Sequence, residues 1–128
     1  MAYPNDYRYT REHEWIQLQG NTALVGITDH AQESLGDIVF VELPKTGAEY
    51  KKGETFGTVE SVKAVSDLYA PASGKVVAVN GDLTAKPEQV NEDAHRAWMM
   101  KLELKDPKEV DSLLSAQEYE TYIAEEKK

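Results

Sequence analysis

Residues 57–71 constrain the fold more than any other stretch: Gly57-Thr58-Val59-Glu60-Ser61-Val62-Lys63-Ala64-Val65-Ser66-Asp67-Leu68-Tyr69-Ala70-Pro71. The β-branched Thr58, Val59, Val62 and Val65, with the aromatic Tyr69, predict two short strands folded back on each other. The turn falls near Val62-Lys63, although no Gly, Asn or Asp stands there to accept a positive φ. With that turn, Ser61 faces Ala64, Val59 faces Ser66, and Phe56 faces Tyr69 as an aromatic pair at the base. Lys63 then stands at the tip in water, among the small or acidic Glu60, Ser61, Ser66 and Asp67. One amine on a rigid tip is a shape that a modifying enzyme can recognise, and it leaves an attached group free to swing.

The rest of the chain supplies a sheet scaffold. Residues 1–11 form a polar and aromatic lead-in. Glu14-Trp15-Ile16-Gln17-Leu18-Gln19 and Thr22-Ala23-Leu24-Val25-Gly26-Ile27 are two strands joined by a Gly20-Asn21 turn. Residues 28–35 form a short helix, with Asp29 as N-cap, Gln32 three residues on, and Gly36 as the stop. Ile38-Val39-Phe40-Val41-Glu42-Leu43 is continuously apolar enough to predict a strand buried on both faces. Turns follow at 44–47, 51–54 and 71–74, and Lys75-Val76-Val77-Ala78-Val79-Asn80 is a further strand. Gly74-Lys75-Val76-Val77-Ala78-Val79 echoes Gly36-Asp37-Ile38-Val39-Phe40-Val41, a weak repeat that suits two similar half-sheets. Residues 86–91 form a turn or a single helical turn, and 98–104 the last strand. Asp106 and Pro107 open one terminal helix. The capping box of Ser115 and Glu118 opens a second, which carries Tyr119, Tyr122 and Ile123 on one face. Residues 125–128 are expected to fray.

At 128 residues the chain is long enough for one domain with one core. A net charge of −9 argues against nucleic acid and anionic membrane as partners and suits partners with basic docking surfaces. The absence of cysteine excludes disulfides and thiol nucleophiles, so any dithiol chemistry must arrive on a cofactor. No apolar run approaches the roughly 20 residues that cross a bilayer. Residues 1–6 have neither a secretory nor a transit character, which predicts a cytoplasmic protein, with a mature mitochondrial form as the alternative. His13, His30 and His95 show no ligand spacing, so no metal site is expected. Gly53-Glu54-Thr55-Phe56-Gly57 lacks the spacing of a phosphate loop.

Several motifs in order carry a family resemblance. Glu60-Ser61-Val62-Lys63-Ala64, then Ser66-Asp67-Leu68-Tyr69-Ala70-Pro71 and Ser73-Gly74, resemble the lipoyl-lysine motif of the glycine cleavage system H proteins. His13-Glu14-Trp15 matches as well. So do Val25-Gly26-Ile27-Thr28-Asp29-His30-Ala31-Gln32 and Leu35-Gly36-Asp37-Ile38-Val39-Phe40-Val41-Glu42-Leu43-Pro44. Asn91-Glu92-Asp93 and Ala97-Trp98-Met99 extend the match, which runs from about Tyr7 to Ala124.

The resemblance implies a mainly β, lipoyl/biotinyl-carrier-like barrel-sandwich hybrid: a sandwich core over 12–104, a short helix near 28–35, and C-terminal helices over 106–126. It implies a monomeric carrier with no catalysis of its own, with lipoic acid attached covalently to Lys63. Its partners would be a PLP-dependent glycine decarboxylase, a folate-dependent aminomethyltransferase, a dihydrolipoyl dehydrogenase and a lipoylating enzyme. Glu14 and Asp67 fall where the family's loaded arm meets acidic groups in a cleft, and a carboxylate there favours an ammonium. Ser34 departs from the histidine of some members and supplies no charge. His30, one helical turn from Ser34, is a further cleft candidate. Ala94-His95-Arg96-Ala97 lacks the glycines common before the family's Trp. The alternatives are a protein that relays lipoyl groups to other enzymes, a biotin carrier, a Schiff-base lysine at position 63, and an unmodified acidic interaction module. Biotin acceptors flank the lysine with methionine, where this chain has Val62 and Ala64. A Schiff-base lysine needs burial or a neighbouring cation.

Overall fold

The computed structural model describes residues 3–126; Met1, Ala2, Lys127 and Lys128 lie outside the described residues. Two antiparallel sheets face each other. Strands β1 (Tyr7–Tyr9), β2 (Glu14–Gln19) and β3 (Thr22–Ile27) belong to the larger sheet, together with β5 (Glu49–Tyr50), β8 (Gly74–Val79) and β9 (Met100–Leu104). Their order across that sheet is β1-β2-β3-β9-β8-β5. The smaller sheet is β4-β6-β7, made of β4 (Ile38–Glu42), β6 (Thr55–Ser61) and β7 (Val65–Tyr69). The echoing segments around β4 and β8 stand in different sheets, as two half-sheets require.

Alternation decides which side chains meet between the sheets. Ile16, Val25, Val76 and Leu102 from the larger sheet and Val41, Val59 and Leu68 from the smaller one are all buried in one cluster. Trp15 stands opposite Gly26, and a Cβ at Gly26 would lie 2.7 Å from the indole, so the ring occupies the space that glycine leaves. A second cluster joins Tyr7, Tyr9 and Trp15 to Ala116 and Tyr119 of helix α4 (Ala116–Glu126). Tyr9 and Tyr119 stack at 4.9 Å. Their neighbours satisfy the polar ends: the Tyr7 hydroxyl donates to His95 O at 2.7 Å, and Trp15 Nε1 donates to Ala94 O at 3.0 Å.

Several sequence expectations change. The lead-in carries β1, whose Tyr9 is fully buried, because an aromatic alternation beside an aromatic helix face buries as a strand. β4 has one wet face: Val39 and Phe40 are exposed, and a bulge between Ile38 and Phe40 rotates that face outward. Helix α1 (Asp29–Leu35) is capped by Thr28, not Asp29; the Thr28 hydroxyl accepts from Ala31 N, while Asp29 accepts from the Gln32 side chain. The last strand starts at Met100 rather than Trp98. Short helix α2 (Asp82–Ala85) was not expected, and of the turn or single helical turn expected over 86–91 the helical turn forms, as α3 (Gln89–Glu92). The Asp106-capped segment, Pro107–Ser112, is a 3-10 helix. The Ser115–Glu118 box forms reciprocally, at 2.9 and 3.2 Å. α4 continues to Glu126, so the predicted fraying does not begin at Glu125.

Candidate functional site

The lysine hairpin is β6 and β7. Val59 pairs with Ser66, and Ser61 N donates to Ala64 O at 2.8 Å, as expected. The base differs: Thr55, not Phe56, pairs with Tyr69, because a bulge between Thr55 and Gly57 sends Phe56 into the core. Gly57 is needed at that bulge, since a Cβ there would strike the Glu42 carbonyl. The tip needs no positive φ; neither Val62 nor Lys63 has one. Ser61 provides the closure instead. Its buried hydroxyl accepts from Lys63 N at 3.3 Å and from Ala64 N at 3.1 Å, a side-chain turn of the kind serine favours.

Two further contacts hold the tip from below. Val62 N donates to Asp37 O at 3.1 Å. Asn91 of α3 clamps the segment carrying Asp37: Nδ2 donates to Gly36 O and to Gln32 Oε1, each at 2.9 Å, and Oδ1 accepts from Ile38 N at 2.8 Å. Gly36, at φ 82, ends α1, and a Cβ there would stand 3.7 Å from Lys63 Cε. The lysine stem thus passes over the end of α1, and the exposed Nζ has no hydrogen-bond or ion-pair partner among the described residues. Lys52, by contrast, donates Nζ to Ser112 Oγ at 2.9 Å.

Glu14 is the unusual acid. It is 1% exposed. Thr10 Oγ1 donates to its carboxylate at 2.7 Å, and Tyr69 N, at the end of β7, donates at 3.2 Å. Burial raises its pKa to about 7, against the lowering effect of those two hydrogen bonds. Glu14 lies on the wall of a cleft of about 210 Å³ that Tyr69, Ala70, Arg11 and Lys52 also line. Asp67 is exposed on β7, opposite Thr58. Ser34 is exposed in the last turn of α1, at the end over which the lysine passes.

His30 is not at that end. It sits in the first turn of α1 and pairs with Glu126. No hydrogen bond or ion pair among the described residues joins Lys63 to Glu14, Asp67, Ser34 or His30. Ser61 and Asn91 hold the site although sequence reasoning gave them no role. A serine two residues before the tip was the available signal for Ser61, whereas Asn91 stood in a matching motif but its clamp spans more than fifty residues, so local pattern did not show what it holds.

A model of the glycine cleavage H-protein family matches residues 7–126. The chain belongs to that family. The H protein of Acidobacterium capsulatum is 64% identical over 126 residues, and that of Koribacter versatilis 65% identical over 126; each alignment covers 98% of both chains. The crystal structure of a glycine cleavage system H protein from Mycobacterium marinum superposes with a TM-score of 0.87 at 40% identity, covering 95% of this chain and 99% of that one. This H-protein family member is a lipoyl carrier of the glycine cleavage system, and the two-sheet fold expected from the resemblance is the one observed. No helix among the described residues is long and apolar enough to cross a membrane.

Proposed function

We propose that Lys63 bears the lipoyl group through an amide at Nζ, and that the arm carries the aminomethyl group of glycine from a PLP-dependent decarboxylase to a folate-dependent aminomethyltransferase. The observation that carries this reading is the unpartnered, exposed Nζ on a tip fixed by Ser61, Asp37 and Asn91. An acyl group at this amine displaces no contact, and the braced turn presents it at one place. When bound, the lipoyl disulfide supplies redox and group-carrying chemistry that a cysteine-free chain lacks. A flavin-dependent dihydrolipoyl dehydrogenase and a lipoylating enzyme complete the partner set. The protein itself acts as a monomeric carrier without catalysis, in the bacterial cytoplasm, in keeping with its bacterial relatives.

Within that reading Glu14 and Asp67 receive the cationic end of the cargo. Glu14 is the more telling of the two. A carboxyl poised near neutrality changes state when a cation arrives, because the cation favours the ionised form. Asp67, exposed on β7 between the tip and Tyr69, offers a charge partway between tip and cleft. Ser34 offers a hydroxyl beside the arm's root.

Intact-mass spectrometry with peptide mapping, on protein made in cells given lipoate and a lipoylating enzyme, tests the attachment. One lipoyl group on Lys63 and none elsewhere is expected. Lys63→Arg is expected to abolish glycine cleavage in an assay with the other components supplied. Full activity of that variant, or lipoate on another lysine, overturns the reading.

A further inference from the structure

His13, His30 and Glu126 come from three distant parts of the chain and converge. His13 Nε2 lies 3.4 Å, and His30 Nε2 3.6 Å, from Glu126 Oε2. The three atoms all lie within 4.8 Å of one another. Zinc bonds of about 2.0–2.1 Å at tetrahedral angles put neighbouring ligand atoms roughly 3.3–3.4 Å apart. Two of the three edges already approach that length.

The surroundings orient these atoms. The Tyr119 hydroxyl is 2.7 Å from His13 Nδ1 and 2.8 Å from Thr28 Oγ1, which fixes the His13 ring and turns Nε2 towards the cluster. Metal-bound histidines characteristically have their second nitrogen held in this way. His13 has φ 73, the one positive φ at a non-glycine position among the described residues, so the backbone is strained where the ring is presented. The side chains are 21%, 14% and 38% exposed for His13, His30 and Glu126, which leaves an open side for a water as fourth ligand. The two imidazole rings lie 4.7 Å apart, which brings both within reach of one ion.

We infer that His13, His30 and Glu126 form a binding site for one divalent transition-metal ion of the zinc type, tying the end of α4 to α1 and to the turn before β2. The elements are far apart in sequence, which is why ligand spacing gave no sign of it.

The test uses the full-length, untagged, chelator-washed protein with its lipoyl group in the disulfide form, titrated with zinc chloride in a calorimeter. One saturable site per chain is expected, with a raised melting temperature. Cobalt(II) in place of zinc should show the visible absorption of a four-coordinate ion. His30→Ala and Glu126→Ala, each checked for an unchanged circular dichroism spectrum, should lose the site. Tyr119→Phe should retain it with affinity lowered roughly tenfold. No saturable binding, or binding that survives both His30→Ala and Glu126→Ala, overturns the inference. Binding lost in Lys63→Arg but kept in His30→Ala would assign the metal to the lipoyl sulfurs and overturn it too.

Discussion

Glu14 links stability to pH. Its carboxyl rises from an ordinary 4.5 to about 7 because folding removes it from water. The folded protein therefore holds this proton more tightly than the unfolded chain does. The stability that goes with the neutral carboxyl is complete below about pH 4.5 and is lost as pH rises through about 7, a change of about 3 kcal/mol. Glu14→Gln keeps an acceptor for Tyr69 N and gains an amide donor for Thr10 Oγ1. Urea unfolding at about pH 5 and pH 8 should find the variant within ~0.5 kcal/mol of the parent at the lower pH and roughly 2–3 kcal/mol more stable at the higher one. An equal difference at both pH values would show that Glu14 is not the titrating group. Glu14 stood in a recognisable motif, yet its burial depends on Thr10 and on a backbone amide fifty-five residues away.

At the scale of elements, the hairpin is placed by its own turn and by what supports it. The β-branched runs and the Val59–Ser66 register were legible because a two-residue period leaves few alternatives once one face is buried. The bulge that moved Phe56 was not, since it depends on how closely β4 approaches Gly57. Ser61 is the residue on which the tip turns. Ser61→Ala removes the acceptor of two backbone amides and should cost about 1–2 kcal/mol in chemical unfolding. Lipoylation of Lys63 should slow in the same variant, because the tip no longer has one conformation, while Ser61→Thr, which keeps the hydroxyl, should recover most of the rate. Equal rates for Ser61→Ala and the parent would show that the lipoylating enzyme does not read the shape of the turn.

The whole molecule is a two-sheet core extended by an aromatic cluster that docks α4 on β1. Its surface carries the net charge of −9. Encounters with enzymes that offer basic docking faces are steered by that charge, and salt screens steering over about 8–10 Å. The association rate with either proposed partner, the decarboxylase or the aminomethyltransferase, should fall roughly tenfold between low and physiological ionic strength, with a smaller change in dissociation rate. Stopped-flow measurements across a salt series check this; a flat series would mean that docking rests on apolar contact. The exposed Val39, Phe40, Val62 and Val65 near the lysine make that second outcome concrete.

By itself the sequence determined the strands of the lysine hairpin, the Gly36 stop of α1, the capping box at Ser115 and the family. These depend on neighbours within a few residues or on ordered motifs. The tertiary structure alone decided that the aromatic lead-in is a strand, that β4 has a wet face, that Glu14 is buried, and that His30 belongs with His13 and Glu126 rather than with the lysine. Each of these depends on which distant segment covers a side chain. Local pattern does not carry that information, because burial and convergence are set by packing across the sheets and against α4.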